Sequence, residues 1–463
     1  MFTPEIYTAR RAALRKKLKS GVILLPGNLD SPINYPANAY DFRQDSNFLY
    51  YFGLAQPGFV GVIDVDRDTD CLYADEWTMD DLIWMGPQPT VRERAALAGV
   101  GSAGSLQELA ATLNSAIKKG RKVHYLPPYR SATKLQLSAW LGIATERLKD
   151  HVSRDLIRAV VSMREIKGPE EIAQLEEAAL TGYKMHTTAM TMCREGIGER
   201  DIAVELERIA GQAGGRLSFR SIVSQHGETL HNLSYDGRLR AGRLLLIDAG
   251  AETAMGYASD HTRTIPVSGK FTQKQQEIYD IVLAANAKAQ ELARPGVTYQ
   301  SIHLAAMRVI AEGLRALGLM KGDPAEAVEA GAAALFMPHG LGHQMGLDVH
   351  DMEELGEKYV GYDDATTRST LFGLGALRMG KALKAGHVVT DEPGIYFIPA
   401  LIEKWERERI HTAYIDFAKL HDYFDFGGIR LEDDILITQN GNRLLSRHRA
   451  PITVADVEKA MAK

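Results

Sequence analysis

The stretch that most limits how this chain can fold is LLLIDAGAETAMGYASDHTRT, residues 244–264. Leu244 to Ile247 is a short apolar run of buried-strand type, and Asp248 stands where it ends against a turn. Gly250 and Gly256 let the chain reverse, and Tyr257 to Thr264 resumes strand-forming residues with Asp260 among them. Two carboxylates on adjacent strands repel each other, and neither tolerates an apolar sheet unless a cation, a partner charge or a hydrogen-bond network offsets the burial. A single Asp after an apolar strand is ordinarily a turn residue or a cap. Only company elsewhere in the chain makes it a ligand.

That company is present in four further stretches. HGLGHQMGLDVHD (339–351) offers His339, His343 and His350; VVTDEPGIYF (388–397) offers Glu392; GGIRLEDDILIT (427–438) offers Glu432; ETLHNLSY brings His231. Each is ambiguous alone, since a loop histidine is usually structural and a Glu beside Gly-Ile-Arg usually pairs with that Arg. Together Asp248, Asp260, His343, Glu392 and Glu432 form an oxygen-rich donor set with one imidazole, each at a strand end or Gly-rich turn. Such a set suits manganese, cobalt, iron or zinc and excludes a thiolate site. Four converging carboxylates ionise together only if cations balance them, which two divalent ions would do.

The remaining sequence narrows the class. At 463 residues the chain exceeds one ordinary core, so two domains are expected. GVILLPG, FVGVIDVD and DCLYADE read as strands, and Gln107 to Lys118 and Ala132 to Leu148 as helices, giving an α/β domain over 1–158. The aromatic FRQDSNFLYYFGLAQPG (42–58) reads mainly as packing. From 159 the text changes: a Gly-Pro start with an acidic first turn opens a long helix running to Gly196. A second amphipathic helix and strands follow. The pairing of helices then repeats, so 160–263 and 264–437 are expected to be similarly built halves. The net charge of −5 with mixed signs argues against nucleic acid, and no apolar run reaches membrane-spanning length. The N-terminus lacks a secretory apolar core, and with only Cys71 and Cys193 a cytoplasmic setting is the simplest expectation.

The order Asp248, Asp260, His343, Glu392, Glu432, with IDAG, SDHTRT, HGLGHQMGLDVHD, DEPGIYF and GGIRLEDD, resembles the pita-bread metallopeptidases: prolidases, aminopeptidase P and methionine aminopeptidases. The front section, including FRQDSNFLYYFGLAQPGFVGVIDVD and WMG at 84–86, resembles the N-terminal domain of the first two. The resemblance implies an α+β pita-bread (creatinase/aminopeptidase-type) catalytic domain over 159–463. It implies two divalent ions per subunit, manganese first, with cobalt or zinc as alternatives. Asp248 would bind one ion through both oxygens, Asp260 and Glu432 would bridge, and His343 and Glu392 would complete the second. Glu392 would move the proton of an activated water to the leaving amine, His231 and His350 would contact substrate or oxyanion, and Arg430 would support the neighbouring carboxylates. Peptides with proline in second position are the implied substrates and a homodimer the implied assembly.

Within the family, Arg378 stands fourteen positions before Glu392, as does the prolidase arginine that reads a dipeptide's carboxylate. With the insertion GIYFIPALIEKWERERIHTAYIDF, this favours an Xaa-Pro dipeptidase. Aminopeptidase P, acting on longer peptides, is the nearest alternative, and a non-catalytic pita-bread binding module or metal-free creatinase-like hydrolysis lie further off. Gly375 to Lys381, GALRMGK, has phosphate-loop spacing, but Ala382 replaces the Ser or Thr that would bind magnesium.

Overall fold

Proline in the first turn and three basic residues in the last favour the helix Pro4–Lys17 that opens the chain, and its buried Tyr7, Arg11 and Leu14 turn inward. The computed structural model describes residues 1–462 and divides into two units, Met1–Arg164 with Met352–Tyr359, and Glu165–Asp351 with Val360–Lys463.

The first unit is built on a five-stranded sheet ordered Ala103–Gly104, Thr69–Tyr73, Val60–Asp64, Val22–Pro26, Val123–His124. The central three strands pair antiparallel and each outer one joins parallel, the partly open α/β sheet expected. Val22, Leu24, Val60 and Val62 meet Leu109 and Leu113 of helix Leu106–Lys118 to form its core. The helix expected over 132–148 is broken: Ser131–Leu141 ends at Gly142, whose positive φ is a left-handed cap, and a 3₁₀ turn Thr145–Asp150 follows. In the aromatic stretch, Asp45 caps the short helix Ser46–Phe52 and Phe48, Tyr51 and Phe52 are buried, so packing is what the rings do.

In the second unit, Gly168 and Pro169 start helix Pro169–Met192, as their order suggests. It stops short of Gly196 because Cys193 already takes extended geometry. This helix packs with Glu199–Gln212, and Gln273–Leu292 packs with Tyr299–Ala316, the expected repetition of helix pairs. Strands Ile222–Ser224, Leu244–Asp248 and Thr262–Pro266 make one sheet, and Val388–Asp391, Asp433–Ile437 and Asn442–Leu444 another. Their apolar faces and the helices share one core, including Leu245, Ile247, Val282, Ile310, Val389 and Ile435. Among the described residues, no helix is long and apolar enough to cross a membrane.

Candidate metal centre

Strand register assembles the site. Leu244–Asp248 and Thr262–Pro266 pair antiparallel with Asp248 opposite Thr262, and an isolated bridge puts Thr262 opposite Glu432. Asp248, Thr262 and Glu432 thus form one row across three chain segments, with Asp260 two residues before it. The Glu432 N–H donates to the Thr262 carbonyl at 3.0 Å, and the Thr262 hydroxyl donates to Glu432 Oε2 at 2.6 Å. The Asp260 N–H donates to Asp434 Oδ2 at 3.0 Å. Gly250 is demanded here: a Cβ at that position would lie 1.8 Å from the Ser259 carbonyl oxygen, so only glycine permits the return.

The histidine loop is laced onto the strand that ends at Glu392. The His343 N–H donates to Thr390 Oγ1 at 3.1 Å, the Thr390 N–H to the His343 carbonyl at 3.0 Å, and the Glu392 N–H to the Leu341 carbonyl at 2.9 Å. His343 Nδ1 lies 3.1 Å from the Gln344 carbonyl, which fixes that nitrogen as the protonated one and turns Nε2 to the carboxylates as a lone-pair donor. Nε2 is 3.5 Å from Asp260 Oδ2 and 3.8 Å from Glu392 Oε1. Asp260, His343 and Glu432 each present a ligand atom within 4.8 Å of the others. All five expected donors line one cavity of about 480 Å³.

The electrostatics of this cavity are those of a cation site. Burial, reinforced by Glu432, Asp248, Asp434 and Glu392, raises the Asp260 carboxyl well above the usual range. Burial likewise raises Glu432, with Glu392 and Asp248 adding repulsion, and pushes Glu392 up to about 8 against the opposing pull of Arg430. Buried Asp248 Oδ1 and Asp260 Oδ1 accept no hydrogen bond from the protein. Orphaned carboxylate oxygens are costly, and a hard divalent ion is the partner that satisfies them. The residues therefore fit the metals that the donor set implies.

Arg430 supplies the protein's own countercharge, donating to Asp248 Oδ2 at 2.6 Å, to Thr262 Oγ1 at 3.1 Å and to the Tyr396 hydroxyl at 2.8 Å. The Tyr396 hydroxyl also meets His339 Nε2 at 2.9 Å, and burial lowers His339 to about 3, so this imidazole is neutral. The sequence offers His339 beside His343 and His350 but gives it no role, and it does not single out Tyr396 or Thr262. Tyr396 sits inside DEPGIYF and was within reach, whereas Thr262 has no signal beyond its neighbour Asp260. His231, His350 and Arg378 line the same cavity, and the His350 ring stands edge-on to that of His343 with centroids 4.2 Å apart. The lysine of GALRMGK is committed elsewhere: Lys381 Nζ lies buried on Glu165 at 2.6 Å, so its ammonium is paired with that carboxylate instead of being held open to a phosphate.

Residues 173–439 match metallopeptidase family M24, and residues 7–125 match the aminopeptidase P N-terminal domain. The chain is 32% identical over 447 residues to a probable Xaa-Pro aminopeptidase of Metarhizium acridum, covering 96% of this chain and 85% of the relative. The aminopeptidase PepP of Pseudomonas aeruginosa aligns with a TM-score of 0.81 at 28% identity, covering 99% of this chain and 98% of that one. Escherichia coli aminopeptidase P, solved with the inhibitor Pro-Leu, aligns at 0.80 and 29% identity with the same coverage.

Proposed function

The chain belongs to metallopeptidase family M24, and from that premise we propose that it is an Xaa-Pro aminopeptidase, removing the residue that precedes proline at the N-terminus of a peptide. Its architecture is an aminopeptidase P-type N-terminal domain followed by the pita-bread catalytic domain. The observation that carries the reading is the convergence of Asp248, Asp260, His343, Glu392 and Glu432 on one cavity with two unsatisfied carboxylate oxygens.

These five side chains would hold two divalent ions, with manganese our first choice and cobalt or zinc the alternatives. Bound there, the ions supply Lewis acidity toward the scissile carbonyl and make water a nucleophile near neutral pH. The protein does the rest. Glu392, whose carboxyl lies between charged and neutral forms near physiological pH before ions bind, holds the proton released by the attacking water and returns it to the proline nitrogen as the bond breaks. His231 and His350, on the cavity wall, hydrogen-bond the peptide and the developing oxyanion. Arg430 fixes Asp248 and balances part of the carboxylate charge.

A second reading is favoured by one observation, that Arg378 lines the cavity, where a guanidinium would receive the carboxylate of an Xaa-Pro dipeptide. The names of the relatives weigh toward the aminopeptidase instead, which is the reverse of the preference drawn from Arg378 by sequence. Manganese-reconstituted protein is expected to hydrolyse Ala-Pro-Ala with a higher kcat/KM than Ala-Pro, with two divalent ions per chain by elemental analysis. Faster cleavage of Ala-Pro, lost in Arg378→Ala, would make the enzyme a dipeptidase; no hydrolysis of either by ion-loaded protein would overturn both.

A further inference from the structure

The mechanism above leaves unused a fully buried ion pair, one member of which is the chain neighbour of a residue lining the cavity, His350. Lys167 Nζ and Asp351 Oδ2 are 2.9 Å apart, and each side chain is only 1% exposed. Desolvating two charges is expensive, and a hydrophobic pair of similar volume would be as stable or more so, so stability alone does not account for this pair. Position does. Asp351 directly follows His350, whose ring packs edge-on against the ligand His343.

The loop between those two histidines is closed at its ends. The Asp351 N–H donates to the Gln344 carbonyl at 2.9 Å, and the Asp351 carboxylate lies against Gly346, where a Cβ would sit 2.3 Å from Oδ2. Lys167 is itself anchored. Its N–H donates to the Gly386 carbonyl at 2.9 Å, and two residues earlier Glu165 accepts from Lys381 at 2.6 Å and Lys384 at 2.8 Å. Gly386 and His387 lead into strand Val388–Asp391 and so to Glu392. The short segment 165–167 therefore ties the loop that carries His350 to the chain that carries Glu392.

We propose that Lys167, acting through Asp351, is a positioning residue that sets where the His350 imidazole stands in the peptide cavity. The inference rests on the reading of His350 as a peptide-contacting group. The dry ammonium–carboxylate pair allows one arrangement of the 344–351 loop, and an imidazole displaced by about 1 Å costs up to ~100-fold in rate.

The test neutralises both charges of the pair, Lys167→Met with Asp351→Asn, and combines this double variant with His350→Ala. All variants are assayed with manganese below the lowest melting temperature, for peptide turnover and for Pro-Leu affinity by calorimetry. The neutralised pair is expected to lower kcat/KM by ~10- to 100-fold and to weaken Pro-Leu, while adding no further loss once His350 is alanine. Losses that multiply with those of His350→Ala, or a neutralised pair with native turnover and affinity, would overturn the positioning role. If His350→Ala alone changes neither readout, the reading of His350 falls first, and the positioning role with it.

Discussion

Glu392 shows how a single carboxyl links ion binding to stability. In the ion-free chain burial pushes it up to about 8, and Asp260 and Glu432 are raised with it, whereas an unfolded chain releases these protons near pH ~4.3. Between those limits the folded state holds more protons than the unfolded one. The stabilisation is complete below the unfolded value and is lost as pH climbs toward 8, at ~1.4 kcal/mol per unit of displacement for each group. The melting temperature of EDTA-treated protein is therefore expected to fall from pH 5 to pH 8, and a divalent ion, replacing the protons, to flatten the dependence. A melting temperature that rises over that interval without ions would contradict the crowding of carboxylates described here. Arg430 works in the opposite sense, its guanidinium bonded to Asp248. Arg430→Gln is expected to weaken manganese binding by ~10- to 100-fold in calorimetric titration, because an oriented ligand loses its partner; unchanged affinity would assign Arg430 to packing alone.

Strands and turns carry these side chains, and there local sequence and long-range pairing part company. Asp248 at the end of LLLI, the glycines of the return and Glu392 after VVTD were legible because apolar runs and Gly punctuation are local signals. The row Asp248–Thr262–Glu432 was not, since it depends on pairing between segments 170 residues apart, and the contacts of Tyr396 with His339 and Arg430 close over 57 and 34 residues. The end of the helix at Leu141 was missed because Gly142 inside a helical pattern is tolerated unless its φ turns positive, which the residues alone do not reveal. Gly250 offers a test of how closely the return beside Asp248 is packed. Gly250→Ala, with its Cβ driven against the Ser259 carbonyl, is expected to cost ~1–3 kcal/mol and lower both melting temperature and ion content. Gly101→Ala, placed in open space, is the control expected to do neither. Equal behaviour of the two variants would mean that the return has slack.

At the scale of the whole chain, the assignment of Met352–Tyr359 to the first unit is what a linear reading with one boundary could not reach, because that segment lies between His350 and Glu392 of the second. The two units also have separate apolar cores, and every donor of the metal centre belongs to the second. An ion that binds only the folded second unit stabilises it by mass action, by ~2.7 kcal/mol at a hundred times its Kd. Calorimetry is therefore expected to resolve two transitions, of which manganese raises one by several degrees and leaves the other in place. Leu113→Ala, which opens a cavity in the first unit's core, should lower the ion-insensitive transition, with a cost of ~2–5 kcal/mol. Should manganese and Leu113→Ala instead move one common endotherm, the two cores melt as a single cooperative block, and ion binding protects the N-terminal domain as well as the unit that holds the ions.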